Sequence, residues 1–282
     1  MDFRKLNIAY STCPNDTFMF DALINGRING EGLKFDVHLA DIEELNKGVE
    51  NGEPDVSKIS YAVFPGISDR YQLLNSGSAV GYGNGPLVIS KRKIYPDELE
   101  NVTVAIPGVR TTANYLLTSL FPGISQKRTY LFSDIADAIQ DNEVEAGVII
   151  HETRFTYMEK GLRMIADLGE LWEKKFGLPI PLGGIVVRRD LPVKIKYLLN
   201  DKIAESITYG FAHPSDSMPY IRQHARELSE KVIRNHIELY VNDFSLDLGE
   251  KGREAVRTLF DKGIENRLFD MKNENVFITS GL

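Results

Sequence analysis

Cysteine is almost missing from these 282 residues: Cys13 stands alone. One thiol closes no internal disulfide and forms no CxxC pair, so neither a stapled secreted scaffold nor a cysteine zinc motif fits. Long apolar runs are missing too, and none approaches the roughly 20 residues needed to cross a bilayer. Met1-Asp2-Phe3-Arg4-Lys5 leads straight into a strand-like segment, without the apolar stretch of a secretion signal. A cytoplasmic protein is the expectation. Positive charge is in deficit: 33 Lys and Arg stand against 40 Asp and Glu, a net charge of −7. That balance disfavours nucleic acid or an anionic membrane as the main partner. The five histidines, His38, His151, His213, His224 and His236, show no two-ligand spacing on one element, so no metal site is read.

What is present is an ordinary globular composition, 43% hydrophobic and 26% charged, in a length that suits one large domain or two lobes. The first third alternates strand and helix. Leu6-Asn7-Ile8-Ala9-Tyr10 reads as a strand. Ser11-Thr12-Cys13-Pro14-Asn15-Asp16-Thr17-Phe18 follows as a small polar loop with Asp16 as N-cap of the next helix. Leu33 to Ala40 alternates like a half-buried strand, and Asp41 caps a helix through Ile42, Leu45 and Val49. Asp55 to Ala62 is a strand passing into a helix. The glycine-rich Gly81-Tyr82-Gly83-Asn84-Gly85-Pro86 precedes the strand-like Leu87-Val88-Ile89-Ser90. Val102 to Ile106 then opens a second βα series, which ends in the buried strand Ala146 to Ile150.

The chain returns through Leu178 to Arg188, and the remainder is mostly helical, with apolar spacing at Ile195, Leu198, Leu199, Ile203 and Ile207, then Leu228, Val232 and Ile233. Two βα series separated by a glycine-rich strand predict an α/β protein of two lobes with a central interlobe cleft. The first lobe is discontinuous, residues 1–90 and 183–282, and the second is 91–182.

Ligand clefts of such proteins lie at the carboxyl ends of the strands. Four loops converge there: Ser11 to Asp16, Ser57 to Tyr61, Gly108 to Thr112, and His151 to Phe155. Three are rich in hydroxyls and helix starts, which suits a carboxylate held by Ser57 or Ser60 and by Thr111-Thr112 rather than by a buried Arg fork. The loop after the first strand carries neither GxGxxG nor GxxxxGKS/T, so a nucleotide phosphate gains no support. The fourth loop offers an imidazole. His151 follows the apolar Val148-Ile149-Ile150, and a neutral imidazole is a suitable general base near pH 7. Glu152 and Arg154 could orient it. His213 reads as a turn residue, and His224 and His236 lie in polar helical stretches. Cys13 reads as a packing residue beside Pro14, with no base tied to it.

Taken together, Ser11 to Phe18, Asp55 to Ser60, Gly83 to Pro86, Pro107-Gly108 with Thr111-Thr112, His151-Glu152 with Arg154 to Tyr157, and Pro179 to Gly184 resemble the 1,4-dihydroxy-6-naphthoate synthases of the futalosine route to menaquinone. The resemblance runs in order from Ser11 to about Arg189. It implies a type II periplasmic-binding-protein-like fold used as an enzyme, with cyclic dehypoxanthine futalosine as the small-molecule carboxylate substrate. It further implies a lyase without cofactor or metal, His151 as the base, and substrate-binding hydroxyls at Ser57 or Ser60 and at Thr111 or Thr112; the converging loops add Ser11, Asn15, Asp16 and Arg154 as expected substrate-binding residues. A homodimer is admitted. Chorismate dehydratase of the same pathway and a non-catalytic solute-binding protein are the alternatives.

Overall fold

The computed structural model describes residues 5–225 and 229–278; the first four residues and Leu228 lie outside them. Eleven strands form two sheets among these residues: β1 (Leu6–Ser11), β2 (Phe35–Ala40), β3 (Val56–Ser60), β4 (Tyr71–Leu73), β5 (Ala79–Gly81), β6 (Leu87–Ser90), β7 (Val104–Ile106), β8 (Lys127–Thr129), β9 (Ala146–Ile149), β10 (Arg163–Asp167) and β11 (Ile180–Arg188). The first sheet runs β2-β1-β3-β11-β4, with β5 also paired to β11, and the second runs β10-β6-β9-β7-β8. Each sheet has a parallel βα part (β1, β2, β3 and β7, β8, β9) and antiparallel strands made where the chain crosses between lobes.

The crossing falls earlier than the range 1–90 places it. Leu87–Ser90 pairs with β9 and β10, with Leu87 opposite Ile149, so this strand belongs to the second sheet and the first lobe's opening segment ends at Gly81. The return is likewise complete at Ile180, before Gly183, because β11 pairs with β5 from that residue on. The two crossings touch. A Cβ on Gly85 would stand 2.3 Å from the Cα of Gly169, so backbone meets backbone there and a larger residue is excluded. Leu168 N–H donates to Pro86 O (3.0 Å) and Gly83 N–H to the Glu173 carboxylate (2.7 Å).

The helix after β1 (α1, Pro14–Ile24) starts one step earlier than its sequence suggests. Cys13 holds the N-cap position and Pro14 the first helical one, where its missing N–H costs nothing. Asp16 lies inside the first turn and folds back on Ser11 instead of capping. The second helix (α2, Ile42–Asn51) does begin at Asp41, whose carboxylate accepts from Glu43 and Glu44 N–H.

One apolar cluster fills the first lobe under α1: Ile8, Tyr10, Phe18 and Phe20 meet Ile185, Val187 and the helical Leu199, Ile203, Ile207 and Ile237. Another is continuous across both lobes, from Tyr61 and Phe64 through Val88, Leu116 and Trp172 to Phe260. The helix Gly249–Glu265 carries Phe260 onto Phe64 (ring centroids 5.4 Å apart), and its Leu259 carbonyl accepts from Tyr115 OH at 3.0 Å. No helix among the described residues is long and apolar enough to cross a membrane.

Candidate active site

A cavity of about 620 Å³, counting its open mouth, lies between the sheets at the carboxyl ends of β1, β3, β7 and β9. Ser11, Asn15, Asp16, Ser60, Thr111, Thr112 and His151 line it, as do Lys58, Asn84 and Tyr240. Ser57 and Arg154 do not. Successive side chains of a strand point to opposite faces, so Lys58 and Ser60 share the cleft side of β3 and Ser57 turns into the interior. Arg154 is spent on Asp167, Nη2 to Oδ2 at 2.8 Å, and on the Gly85 carbonyl. It ties the His151 loop to the crossing segments.

The floor of the site is a buried polar chain. Asp16 accepts from Ser11 Oγ (2.6 Å), Asn15 Nδ2 (2.8 Å) and Lys58 Nζ (2.9 Å), and Lys58 also donates to Gly77 O (3.1 Å). Both charges are almost completely buried, which is sustainable because they are paired and hydrogen-bonded. Lys58 thus brings to the cleft a cation that the sequence reading did not single out.

The hydroxyls differ in what they have left. Ser60 Oγ accepts from Asn46 Nδ2 (3.0 Å), which leaves its proton for a ligand. Thr111 caps the helix Thr112–Leu120, accepting from Asn114 N–H while donating to Gly108 O. Thr112 Oγ1 donates to Leu182 O (2.7 Å) and accepts from Ala62 N–H (3.2 Å), so it bridges the lobes. Both threonine protons are committed, and what this turn offers an anion is the backbone N–H groups of a helix start. Asn84 is fully buried with neither amide atom hydrogen-bonded, facing the cavity.

A second bridge closes the rim. Gly108 and Arg110 of the second lobe reach Glu43 on α2: Arg110 N–H and Nη1 donate to its carboxylate at 3.1 and 3.2 Å, and Arg110 Nε also binds Glu50. Burial raises the Glu43 carboxyl pKa, and the Arg110 contacts oppose that rise.

His151 sits one residue past Ile150 in left-handed backbone, φ 59°. That conformation is rare for a residue with a Cβ and is a mark of functional sites. Its ring meets Phe132 edge-on (4.8 Å) and lies nearly parallel to His236 (6.0 Å, 16°), and its Nε2 is buried without a hydrogen bond. Burial lowers its pKa to about 4, helped by Lys58 and opposed by Asp16, so the imidazole is neutral at physiological pH. Cys13 has the opposite balance for a nucleophile: burial, Glu152 and Asp16 push its thiol pKa well up.

His236 corrects the expectation that it belongs to a polar helical stretch. It is fully buried, and its Nε2 bonds Asn15 Oδ1 at 2.8 Å. Asn15 turns its NH2 to Asp16, so its oxygen faces His236 and the histidine must carry its proton on Nε2. The signal was present: on Glu230–Tyr240, His236 falls on the apolar stripe of Ile233, Ile237 and Tyr240. The remaining histidines stay off the site, His38 beside Glu44, His213 on Tyr209 and His224 against Tyr220.

A family of menaquinone biosynthesis proteins matches residues 6–265. A 1,4-dihydroxy-6-naphthoate synthase of Thermus thermophilus is 43% identical over 257 residues, 91% of this chain and 93% of that protein. The same-named protein of Streptomyces coelicolor is 44% identical over 268 residues, 93% and 94% of the two chains. Among solved structures, a protein of Archaeoglobus fulgidus superposes with a TM-score of 0.89 at 32% identity, covering 94% of this chain and 98% of that one. The alkanesulfonate-binding protein of Xanthomonas axonopodis bound to MOPS gives a TM-score of 0.72 at 14% identity, covering 99% and 97%. At that identity the likeness shows a shared fold, that of periplasmic solute-binding proteins.

Proposed function

This chain belongs to the menaquinone biosynthesis family, and from that premise we propose that it is a 1,4-dihydroxy-6-naphthoate-forming lyase that uses His151 as general base. The substrate is cyclic dehypoxanthine futalosine, a small carboxylate. The observation that carries this reading is a neutral imidazole on strained backbone, its Nε2 buried and unbonded, at the wall of a cleft that also holds anion donors.

In this reading the carboxylate lies against Ser60 Oγ–H, the helix start at Thr112–Ala113 and the Lys58 ammonium. His151 takes a proton from the carbocycle, and that C–H electron pair enters the forming ring. A carbon–carbon bond to the sugar-derived fragment breaks, the departing fragment takes the bonding pair, and the proton on His151 goes to it. The atoms balance without redox change, and the gain in aromaticity drives the step. The left-handed backbone and the rings of Phe132 and His236 hold the imidazole at one orientation.

The test is turnover of cyclic dehypoxanthine futalosine, with chorismate as the competing substrate, by the wild type and by His151→Ala. A positioned base contributes about 10²–10⁴-fold. The variant should lose that much kcat while circular dichroism reports an intact fold. A folded variant with wild-type kcat overturns His151 as base, and turnover of chorismate alone overturns the substrate.

A further inference from the structure

We propose that Cys13, His151, Glu152 and His236 form a binding site for a soft divalent cation, zinc above all, that overlaps the catalytic base and makes the enzyme reversibly zinc-inhibited. Ligand atoms of Cys13, His151 and Glu152 all lie within 4.8 Å of one another. They come from two places in the chain, the N-cap of α1 and the turn after β9, so no spacing rule pairs them. His236 adds an independent pointer. It is fully buried, its Nε2 proton is given to Asn15, and its Nδ1 lone pair has no hydrogen-bond partner and stands 3.9 Å from Glu152 Oε2. His151 Nε2 is likewise buried and unbonded.

One thiolate, one carboxylate and two imidazole nitrogens are the donors that zinc takes in a tetrahedron, with bonds of about 2.0–2.3 Å and hence donor atoms about 3.3–3.8 Å apart. Ligand atoms of Cys13, His151 and Glu152, now up to 4.8 Å apart, must draw in by about 1 Å, and His236 Nδ1, which lies outside that group but 3.9 Å from Glu152 Oε2, must close with them, through χ rotations about His151 at the cavity wall. The charge also closes. A thiolate and a carboxylate cancel the 2+ ion while both imidazoles stay neutral, and Asp16 is already balanced by Lys58, so no net charge is buried. Zinc on His151 occupies the lone pair that would take the proton. This inhibitory consequence rests on His151 being the base, whereas the binding itself does not.

The experiment is a titration of EDTA-stripped protein with cobalt(II), read by its thiolate-to-metal charge-transfer absorption, followed by zinc competition and by zinc inhibition of turnover. Wild type should give the band at one equivalent and lose it to zinc. Cys13→Ser should give no band, and its half-inhibiting zinc concentration should rise by about 10–100-fold or more, the cost of disturbing even an outer-shell metal partner. Glu152→Gln, which keeps shape, should keep the band and weaken cobalt binding. Absence of the band in wild type, its persistence in Cys13→Ser, or equal zinc sensitivity of wild type and Cys13→Ser overturns the site. Because the cobalt arm needs no turnover, its failure is separate from a failure of His151 as base.

Discussion

Gly108→Ala is the sharpest probe of how the cleft is held shut. A Cβ built on Gly108 stands 2.4 Å from Glu43 Oε2, 2.6 Å from its Cδ and 2.8 Å from its Cγ, while real contacts of this kind begin at 3.0 Å. At least 0.6 Å of movement is required, and φ of +156° adds strain for any residue but glycine. Glu43 cannot step aside freely, because Arg110 holds it through N–H and Nη1. Either that bridge opens or the loop of residues 107–111 backs away, carrying Thr111 and Thr112 with it. A misplacement near 1 Å costs on the order of 10²-fold in rate, so kcat/KM should fall about 10–100-fold. Stability should change far less, because the clash lies at the lobe rim and not in either core. Steady-state kinetics together with urea unfolding separate the two. Gly108→Ala/Glu43→Ala removes the clash and should recover part of the loss over Gly108→Ala, the backbone strain remaining. A Gly108→Ala enzyme within twofold of wild type would refute the closure argument.

Measured with EDTA present, kcat/KM should hold down to about pH 5 and fall on an acid limb near pH 4, since His151 is lowered to about 4. At pH 5.5 that leaves about 97% of the base form, against about 9% for an ordinary histidine of pKa about 6.5; a limb at 6.5 would show that the ring is not desolvated as described. Folding stability should begin to fall earlier, from about pH 6.5 downward, because His151 and His236 are both held neutral when folded and take up protons below about pH 6.5 when unfolded, which chemical denaturation from pH 7 to 4.5 would detect. Lys58→Met strands a buried Asp16 carboxylate and should cost about 3–5 kcal/mol in the urea midpoint analysis. Ser60→Ala should raise KM and Ser57→Ala should not, since only the first hydroxyl reaches the cavity; equal effects would contradict that division.

Local chemistry carried most of the fold. Asp41 as a cap and the apolar strands follow from residues adjacent in the chain, and the structure has them where neighbouring residues require them. What local sequence does not settle is a choice that depends on distant partners. Leu87–Ser90 is plainly a strand, yet its sheet is decided by Ala146–Ile149 and Arg163–Asp167, some 60 to 80 residues on. At Cys13-Pro14 the fault was local: proline's preference for the first helical position moves the cap back from Asp16 to Cys13.

Within the site, the divide lies between residues whose role is set by one element and residues whose role is set by a meeting of elements. The place of His151 at the cleft was legible because a strand end and a loop suffice to put it there. Lys58 was not, since a lysine in an apolar strand has meaning only once Asp16 of another loop neutralises it. Arg154 failed for the mirror reason: Asp167 takes its charge before any ligand can. His236 is the instructive miss. Neighbouring Arg234, Asn235 and Glu238 make its segment look polar, but a histidine at the i+3 place between Ile233 and Ile237 is carried inward with them, and burial there demands partners. Asn15 supplies one and the other nitrogen is left bare beside Glu152. A buried histidine with one satisfied nitrogen is poised to accept something, and beside a second unbonded imidazole and a carboxylate that something is a cation before it is a proton.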